Sequence, residues 1–186
     1  MPLTDLLARR RSIKKFTTRP VTRVEIETLL DAATLAPNHR LTEPWRFYVL
    51  GPEAREAYGL AVGVRKARKI EDPEASRAMR DRVAAEHRAL PCMIAVAVVK
   101  SDNAEIAEED YAATMMGLQN LALTAVELGL GTAMRTGAVM GDDAARKAAG
   151  VADNERIVGI VNVGEPAELP VGPKKRGASE VTKWVS

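Results

Sequence analysis

Residues 108–137 read EEDYAATMMGLQNLALTAVELGLGTAMRTG, and this stretch decides how the rest of the chain folds. No charged residue occurs in residues 111–126, where the helix-favouring residues Ala, Leu, Met and Gln dominate. A helix that is apolar on nearly all sides lies in a core or an interface. We therefore predict a long central helix over residues 108–128. The three acids that open the stretch would form its first turn, where negative charge suits the helix dipole, and Gly129 would follow its end.

The composition indicates an ordinary globular protein, with 46% hydrophobic and 28% charged residues among 186. This length predicts a single domain, residues 1–186. Lys and Arg total 27 against 25 Asp and Glu, so the charge balance gives no reason to expect nucleic acid or anionic lipid as a partner. No apolar run approaches the roughly 20 residues of a membrane helix. The lone Cys92 and the absence of a secretory pattern at the start predict a cytoplasmic protein.

Helices and strands interleave along the chain, which predicts an α/β or α+β class with a small sheet. Thr22 and Glu25 have the spacing of a capping box, and Val24 would begin the buried face of that helix. A first short helix would be capped by Thr4 and Asp5. The other predicted helices begin at Pro52, Asp72 and Asp142, the predicted strands cover residues 45–50, 93–99, 132–135 and 157–163, and residues 165–186 form a C-terminal arm.

Several common sites can be excluded from the spacing of their residues. His39 and His87 cannot make a zinc site with Cys92, so no metal is expected, and His87 would face solvent between two charged neighbours. Cys92 leads a buried strand and is expected to be an inert thiol. The basic middle region, residues 65–82, interleaves acids with its cations and lacks aromatic residues for stacking on bases, which argues against nucleic-acid binding.

Three polar stretches remain, and each also has a simpler explanation. The Arg10-Arg11-Ser12 sequence could bind a phosphate, or its arginines could complement the dipole of the preceding helix. The segment 36–47, APNHRLTEPWRF, could border a ligand or be a plain loop before a strand. The basic triplet 174–176 could bind an anion or be a solvated tail.

Taken together and in this order, these stretches resemble the nitroreductase family of FMN-dependent oxidoreductases. RRSIKKFTTRPV is similar to its N-terminal signature, and APNHRLTEPWRF to its AP…PW segment. LQNLALTAVELGLGTAMRTG is similar to its central helix and flavin loop, and IVGIVNVGEP to its last core strand. The resemblance covers nearly the whole chain and points to the short single-domain branch. It implies an α+β nitroreductase-like fold, with a small mixed central sheet flanked by helices and the long central helix at a homodimer interface.

The resemblance also implies which residues bind FMN. The phosphate and ribityl chain would be held by residues 10–12 with help from the arm, and Lys14 would lie near the pyrimidine edge. Two residues of the partner subunit would border the flavin, and residues 134–136 would line it, with Gly137 permitting close approach. The complete implied set is Arg10, Arg11, Ser12, Lys14, Leu35, His39, Met134, Arg135, Thr136, Lys174 and Arg176.

The implied activity is hydride transfer from NADH or NADPH, through FMN, to a small electron acceptor such as a nitro compound or a quinone. No catalytic side chain is expected, because the flavin carries the chemistry. The alternative on the same fold is a flavin-binding carrier or sensor with little turnover. Leu41 and Glu43 stand where many relatives have Asn and Gln, which changes the polarity beside the flavin.

Overall fold

The computed structural model describes residues 2–185 and has an α+β fold, as predicted. The helices are α1 (Leu3–Arg9), α2 (Arg23–Thr34), α3 (Pro52–Ala67), α4 (Pro73–Arg88), α5 (Ala104–Glu127) and α6 (Asp143–Ala149). The strands are β1 (Trp45–Val49), β2 (Cys92–Val99), β3 (Gly131–Arg135) and β4 (Glu155–Gly164), and short 3-10 turns cover Ala138–Gly141 and Ala178–Glu180.

The four strands form one sheet in the order β1-β2-β4-β3, and every neighbouring pair of strands is antiparallel. The expectation of a mixed sheet was therefore wrong for these strands. The parallel contact recorded in the described chain is an isolated bridge between Ser12 and Thr132 at the outer edge of β3. An apolar run such as β2 indicates that a strand is buried, but it does not encode the direction of the neighbouring strands.

Two hydrophobic cores lie on opposite faces of the sheet, so β2 is buried on both sides, as predicted. One core joins the sheet to α2 and α5 and includes Leu29 and Leu121. The other joins it to α3 and α6 and includes Tyr58 and Ala145. Adjacent residues of β4 accordingly point to different helix layers.

The central helix α5 begins four residues earlier than predicted, because the side chain of Asn103 caps it. The Asn103 Oδ1 accepts hydrogen bonds from the backbone amides of Glu105 and Ile106. The three acids predicted for its first turn therefore lie in its second turn. Asp110 is buried there and accepts a 2.5 Å hydrogen bond from the Thr42 hydroxyl. One side of α5 packs on α2 and the sheet, whereas Tyr111 and Met116 are exposed.

The capping predictions were confirmed for three helices and were wrong for one. Thr22 and Glu25 form the capping box of α2, and the side chains of Asp72 and Asp142 cap α4 and α6. Helix α1 is instead preceded by Pro2, with no side-chain cap. A second correction concerns the buried face of α2, since Val24 is 71% exposed. A residue in the first turn of a helix can lie beyond the edge of the layer that the helix covers.

The C-terminal arm starts beside the N-terminal segment and continues along the surface. Phe16 forms a bridge with Pro166, and the Thr17 hydroxyl donates a 2.7 Å hydrogen bond to the Glu165 carboxylate. Farther along, Trp184 is 95% exposed. No helix within residues 2–185 is long and apolar enough to cross a membrane.

Candidate functional site

A cavity of about 470 Å³ lies on the α3 side of the sheet, where α3 and α4 meet the β3–β4 edge and the N-terminal segment. Its volume is within the range typical of small-molecule and cofactor sites. Its lining is mostly apolar, with a few polar groups. The lining residues are Ile13, Lys14, Phe16, Tyr58, Val62, Lys66, Glu86, His87, Leu90, Arg135, Thr136, Val139, Ile160 and Asn162.

Three of the predicted cofactor residues, Lys14, Arg135 and Thr136, line this cavity together. Lys66, from the last turn of α3, adds a third cation that the sequence analysis did not assign. Among residues 2–185, no carboxylate lies within 4.0 Å of any of these three cations, although Glu86 also lines the cavity. The walls therefore carry excess positive charge, which favours an anionic or electron-rich ligand.

Helices α3 and α4 pack closely because α3 has glycines one turn apart at the contact. A Cβ added to Gly59 would lie 2.7 Å from the His87 Cβ, and one added to Gly63 would lie 2.8 Å from the Arg80 Cα. This close approach brings His87 to the cavity wall and half-buries it. The prediction that His87 faces solvent was wrong. The charged residues on either side of His87 in the sequence do not reveal that Gly59 of α3 contacts it.

The His87 ring has a defined hydrogen-bonding state. Its Nδ1 lies 2.7 Å from the Val83 carbonyl oxygen, which can only accept, so Nδ1 must carry a proton and donate it. Burial lowers the pKa of His87, and the nearby cations Lys66 and Arg135 also lower it. His87 is therefore mostly neutral at pH 7, with Nε2 as a hydrogen-bond acceptor.

Asn162 is a polar residue of the cavity that the sequence analysis missed. It is only 8% exposed, and its Oδ1 is buried without a hydrogen-bond partner. Its register neighbours across the sheet are Ala133 on β3 and Met93 on β2, and neither has a side-chain donor for the amide oxygen. The signal was available in the sequence: a single amide interrupts the apolar run of β4.

The Arg10-Arg11-Ser12 segment lies outside this cavity. Arg11 lines a separate groove of about 500 Å³ between α1 and the arm, and its Nη1 donates to the Ala8 and Arg10 carbonyl oxygens. The simpler explanation, in which the arginine interacts with the C-terminal end of the preceding helix, therefore holds for the Nη1 group of Arg11. The arm passes directly over this group, since a Cβ on Gly172 would lie 2.6 Å from the Arg11 Nε.

Leu35 and His39, predicted to serve the partner's flavin, lie on the opposite side of the sheet beside α5. Leu35 is 81% exposed, and the His39 Nδ1 lies 3.0 Å from a Glu109 carboxylate oxygen. The loop that follows contains two non-glycine residues with positive φ, Leu41 at 52° and Glu43 at 45°. Such conformations cost roughly 1–3 kcal/mol each and persist only where surrounding contacts impose them.

The remaining predicted residues are all at the surface. Met134 is 47% exposed and points to the opposite face of β3 from Arg135. Lys174 and Arg176 are exposed on the arm and line none of the described depressions. Gly137 has φ 142°, a backbone conformation that favours glycine, and no atom of the described chain lies within 4 Å of an added Cβ.

Cys92 is buried, and burial raises the pKa of its thiol to about 11, so it remains protonated at neutral pH. In residues 2–185 there is no cluster of three or more His, Cys, Asp or Glu side chains that could hold a metal ion.

The chain belongs to the Nitroreductase family, because residues 7–165 match the sequence model of that family. It is 33% identical over 173 residues to "Putative NAD(P)H nitroreductase YfhC" of Bacillus subtilis (strain 168), covering 93% of this chain and 89% of that protein. It is 28% identical over 170 residues to the similarly named YdjA of Escherichia coli (strain K12), covering 89% of both chains.

Solved structures agree with this assignment of the fold. A nitroreductase-like family protein from Bacillus cereus superposes with a TM-score of 0.84 at 28% identity, covering 100% of this chain and 96% of that one. The FMN and NADPH-dependent nitroreductase NfnB superposes with a TM-score of 0.80 at 20% identity, covering 100% of both chains. At that identity the second likeness supports the fold alone. The resemblance seen in the sequence motifs is thus confirmed at the level of the family and the fold.

Proposed function

We propose that this protein is an FMN-dependent oxidoreductase of nitroreductase type that uses NADH or NADPH to reduce nitro compounds, quinones or similar electron-poor acceptors. The observation that carries this proposal is the cavity in which Lys14, Arg135 and Thr136 meet. Family membership and the names of the relatives, which are NAD(P)H nitroreductases, support it.

The residues present fit a flavin. A flavin ring needs apolar surface for its flat faces, and Phe16, Val62 and Leu90, which line the cavity and are only partly buried, provide such surface. It also has a polar edge with hydrogen-bond donors and acceptors, which the orphaned carboxamide of Asn162 can match. Cations without carboxylate partners suit a ring that gains negative charge on reduction.

When bound, FMN supplies the hydride chemistry between the reductant and the acceptor. The chain's own part is to bind and orient the reactants and to stabilise charge. Lys14 and Arg135, whose side chains bring positive charge to the cavity wall, would favour the anionic reduced state. Arg10, Arg11 and Ser12 would bind the phosphate, joined by Lys174 and Arg176 from the arm.

We also propose a cytoplasmic homodimer with two sites, each built by both chains. The support is a group of exposed apolar side chains beside the central helix, since neighbouring exposed apolar residues mark interaction surfaces. The central helix exposes Met116, and Leu35 and Leu41 are more than 80% exposed beside it. Because Leu35 and His39 lie on the far side of the sheet from the cavity, they could reach a flavin only in a second subunit. Size-exclusion chromatography with light scattering tests this, and a stable monomer would contradict it.

The experiment for the FMN site compares wild type with Arg10→Ala. Wild type should purify yellow or take up added FMN, and the variant should retain less, because one phosphate-binding cation has been removed. A matched control is Arg77→Ala, which removes an arginine paired with Asp81 on the surface of α4. Equal flavin content in all three proteins would refute the phosphate assignment. Steady-state oxidation of NADH or NADPH with a quinone then separates an enzyme from a low-turnover carrier.

A further inference from the structure

Asn162 has hydrogen-bonding capacity that the fold does not use. It lies on β4, the strand between β2 and β3, with its side chain on the face that lines the cavity. Its neighbours in the register, Ala133 and Met93, offer no complementary side-chain group, and its Oδ1 has no partner in the described chain. Leaving such a group unsatisfied is costly, and native proteins rarely do so without a reason.

We infer that Asn162 is a ligand-binding residue of the cavity and that its carboxamide recognises an amide or imide edge. A carboxamide presents a donor and an acceptor side by side, so its natural complement is another group with a C=O next to an N–H. The pyrimidine ring of a flavin and the carboxamide of a nicotinamide both carry this edge. This inference rests on the proposed function, since those are the ligands that the proposal brings to the cavity.

The surroundings of Asn162 favour such a planar ligand. Phe16, Val62 and Leu90 line the same cavity, are only partly buried, and can lie against a flat face of the ligand. Arg135 is paired with Ile160, and so lies diagonally across from Asn162 on the same face of the sheet. Diagonal cross-strand neighbours are about 7–8 Å apart, a distance that one ring can span. Asn162 would bind the edge of the ring while Arg135 provides positive charge.

The test uses Asn162→Leu, which keeps the branched shape of the side chain and removes its polar atoms. In the FMN-free protein this variant should melt about 2–4 °C higher, because it removes a buried unsatisfied group. Its affinity for one of the two ligands should fall roughly tenfold, the loss expected when one good hydrogen bond to the ligand disappears. Stability and affinity should thus change in opposite directions, which a purely structural role would not produce.

The two ligand sources are distinguished by separate measurements. A rise in the FMN dissociation constant, measured by quenching of flavin fluorescence, assigns the carboxamide to the flavin. An unchanged FMN constant with a raised KM for NADH or NADPH assigns it to the nicotinamide. Asn120→Leu is the matched control, because the Asn120 Nδ2 donates to the Ala32 carbonyl oxygen at 3.3 Å and its loss should lower the melting temperature.

The inference is overturned if Asn162→Leu changes neither constant, or if weaker binding accompanies a lower melting temperature. Asn162→Val, which suits a strand and also lacks the amide, should give the same loss of affinity and serves if the leucine variant does not fold. Failure of wild type itself to bind FMN would instead refute the proposed function.

Discussion

The close packing of α3 on α4 at Gly63 predicts the direction of a stability change. An added Cβ would lie 2.8 Å from the Arg80 Cα, 3.0 Å from its carbonyl oxygen and 3.4 Å from its carbonyl carbon. All three are backbone atoms, so no side chain can rotate away. In Gly63→Ala the helices must move apart until the shortest contact reaches at least 3.4 Å, an opening of about 0.6 Å. Overpacking of this kind costs roughly 1–3 kcal/mol.

Alanine is also the better helix former, by roughly 0.8–1.0 kcal/mol, so the two effects oppose each other. We expect the clash to prevail and the free energy of unfolding of Gly63→Ala to fall by about 1 kcal/mol. That corresponds to a melting temperature lower by about 2–4 °C for a chain of this size. Thermal unfolding followed by circular dichroism measures it. The opening would also widen the cavity between Lys66 and His87, so FMN affinity should fall as well.

Ala57→Gly is the control for helix propensity, because Ala57 is exposed on the same helix. It should lower stability by the propensity difference alone, about 1 kcal/mol. If Gly63→Ala instead raised the melting temperature by the amount that Ala57→Gly lowers it, the propensity gain would be present without a clash. The reasoning about the α3–α4 contact would then be refuted.

Two further predictions concern the dependence of stability on pH. The Arg19 guanidinium lowers the pKa of the Glu25 carboxyl to about 2, so Glu25 contributes stability that is present above pH 4.5 and is lost as the pH falls toward 2. In urea unfolding, the free energy of unfolding of Glu25→Gln should fall less steeply over that window than that of wild type. An equal pH dependence in the two proteins would contradict the pairing. Burial, together with Lys66 and Arg135, lowers the pKa of His87, so stability should decline as the pH falls below about 6.5, where the unfolded histidine gains its proton first. His87→Gln should abolish this second decline, and identical pH profiles of unfolding for variant and wild type would argue against it.

The sequence predicted most accurately the features that depend on short stretches of chain. The capping box of Thr22 and Glu25 and the caps at Asp72 and Asp142 were confirmed, because each involves residues within three positions of one another. The central helix was also predicted correctly, but its start was placed late. The three acids at residues 108–110 concealed the Asn103 cap, which lies five residues before the first of them.

Features that depend on tertiary contacts were predicted poorly, and the cavity shows why. His87 reaches its wall only because Gly59 lets α4 approach, a contact between residues far apart in the sequence. The strand directions depend on connections between elements, which an apolar run does not specify. Asn162 could have been found, because an amide within a buried strand requires a partner. The periodicity of β4 does not reveal whether that partner is a side chain or a ligand.

The positions of the predicted cofactor residues bear on how the site could be assembled. Lys14 and Arg135 line the cavity, Arg11 lines the groove under the arm, and His39 lies beside α5. These three depressions share no lining residue. One extended ligand could pass from the cavity to the groove along the N-terminal segment, which contributes Lys14 to the first and Arg11 to the second. It could not also reach His39 through the sheet of the same chain. If His39 contacts FMN at all, it must therefore do so in a second copy, and for that reason the oligomeric state and the site assignment should be tested together.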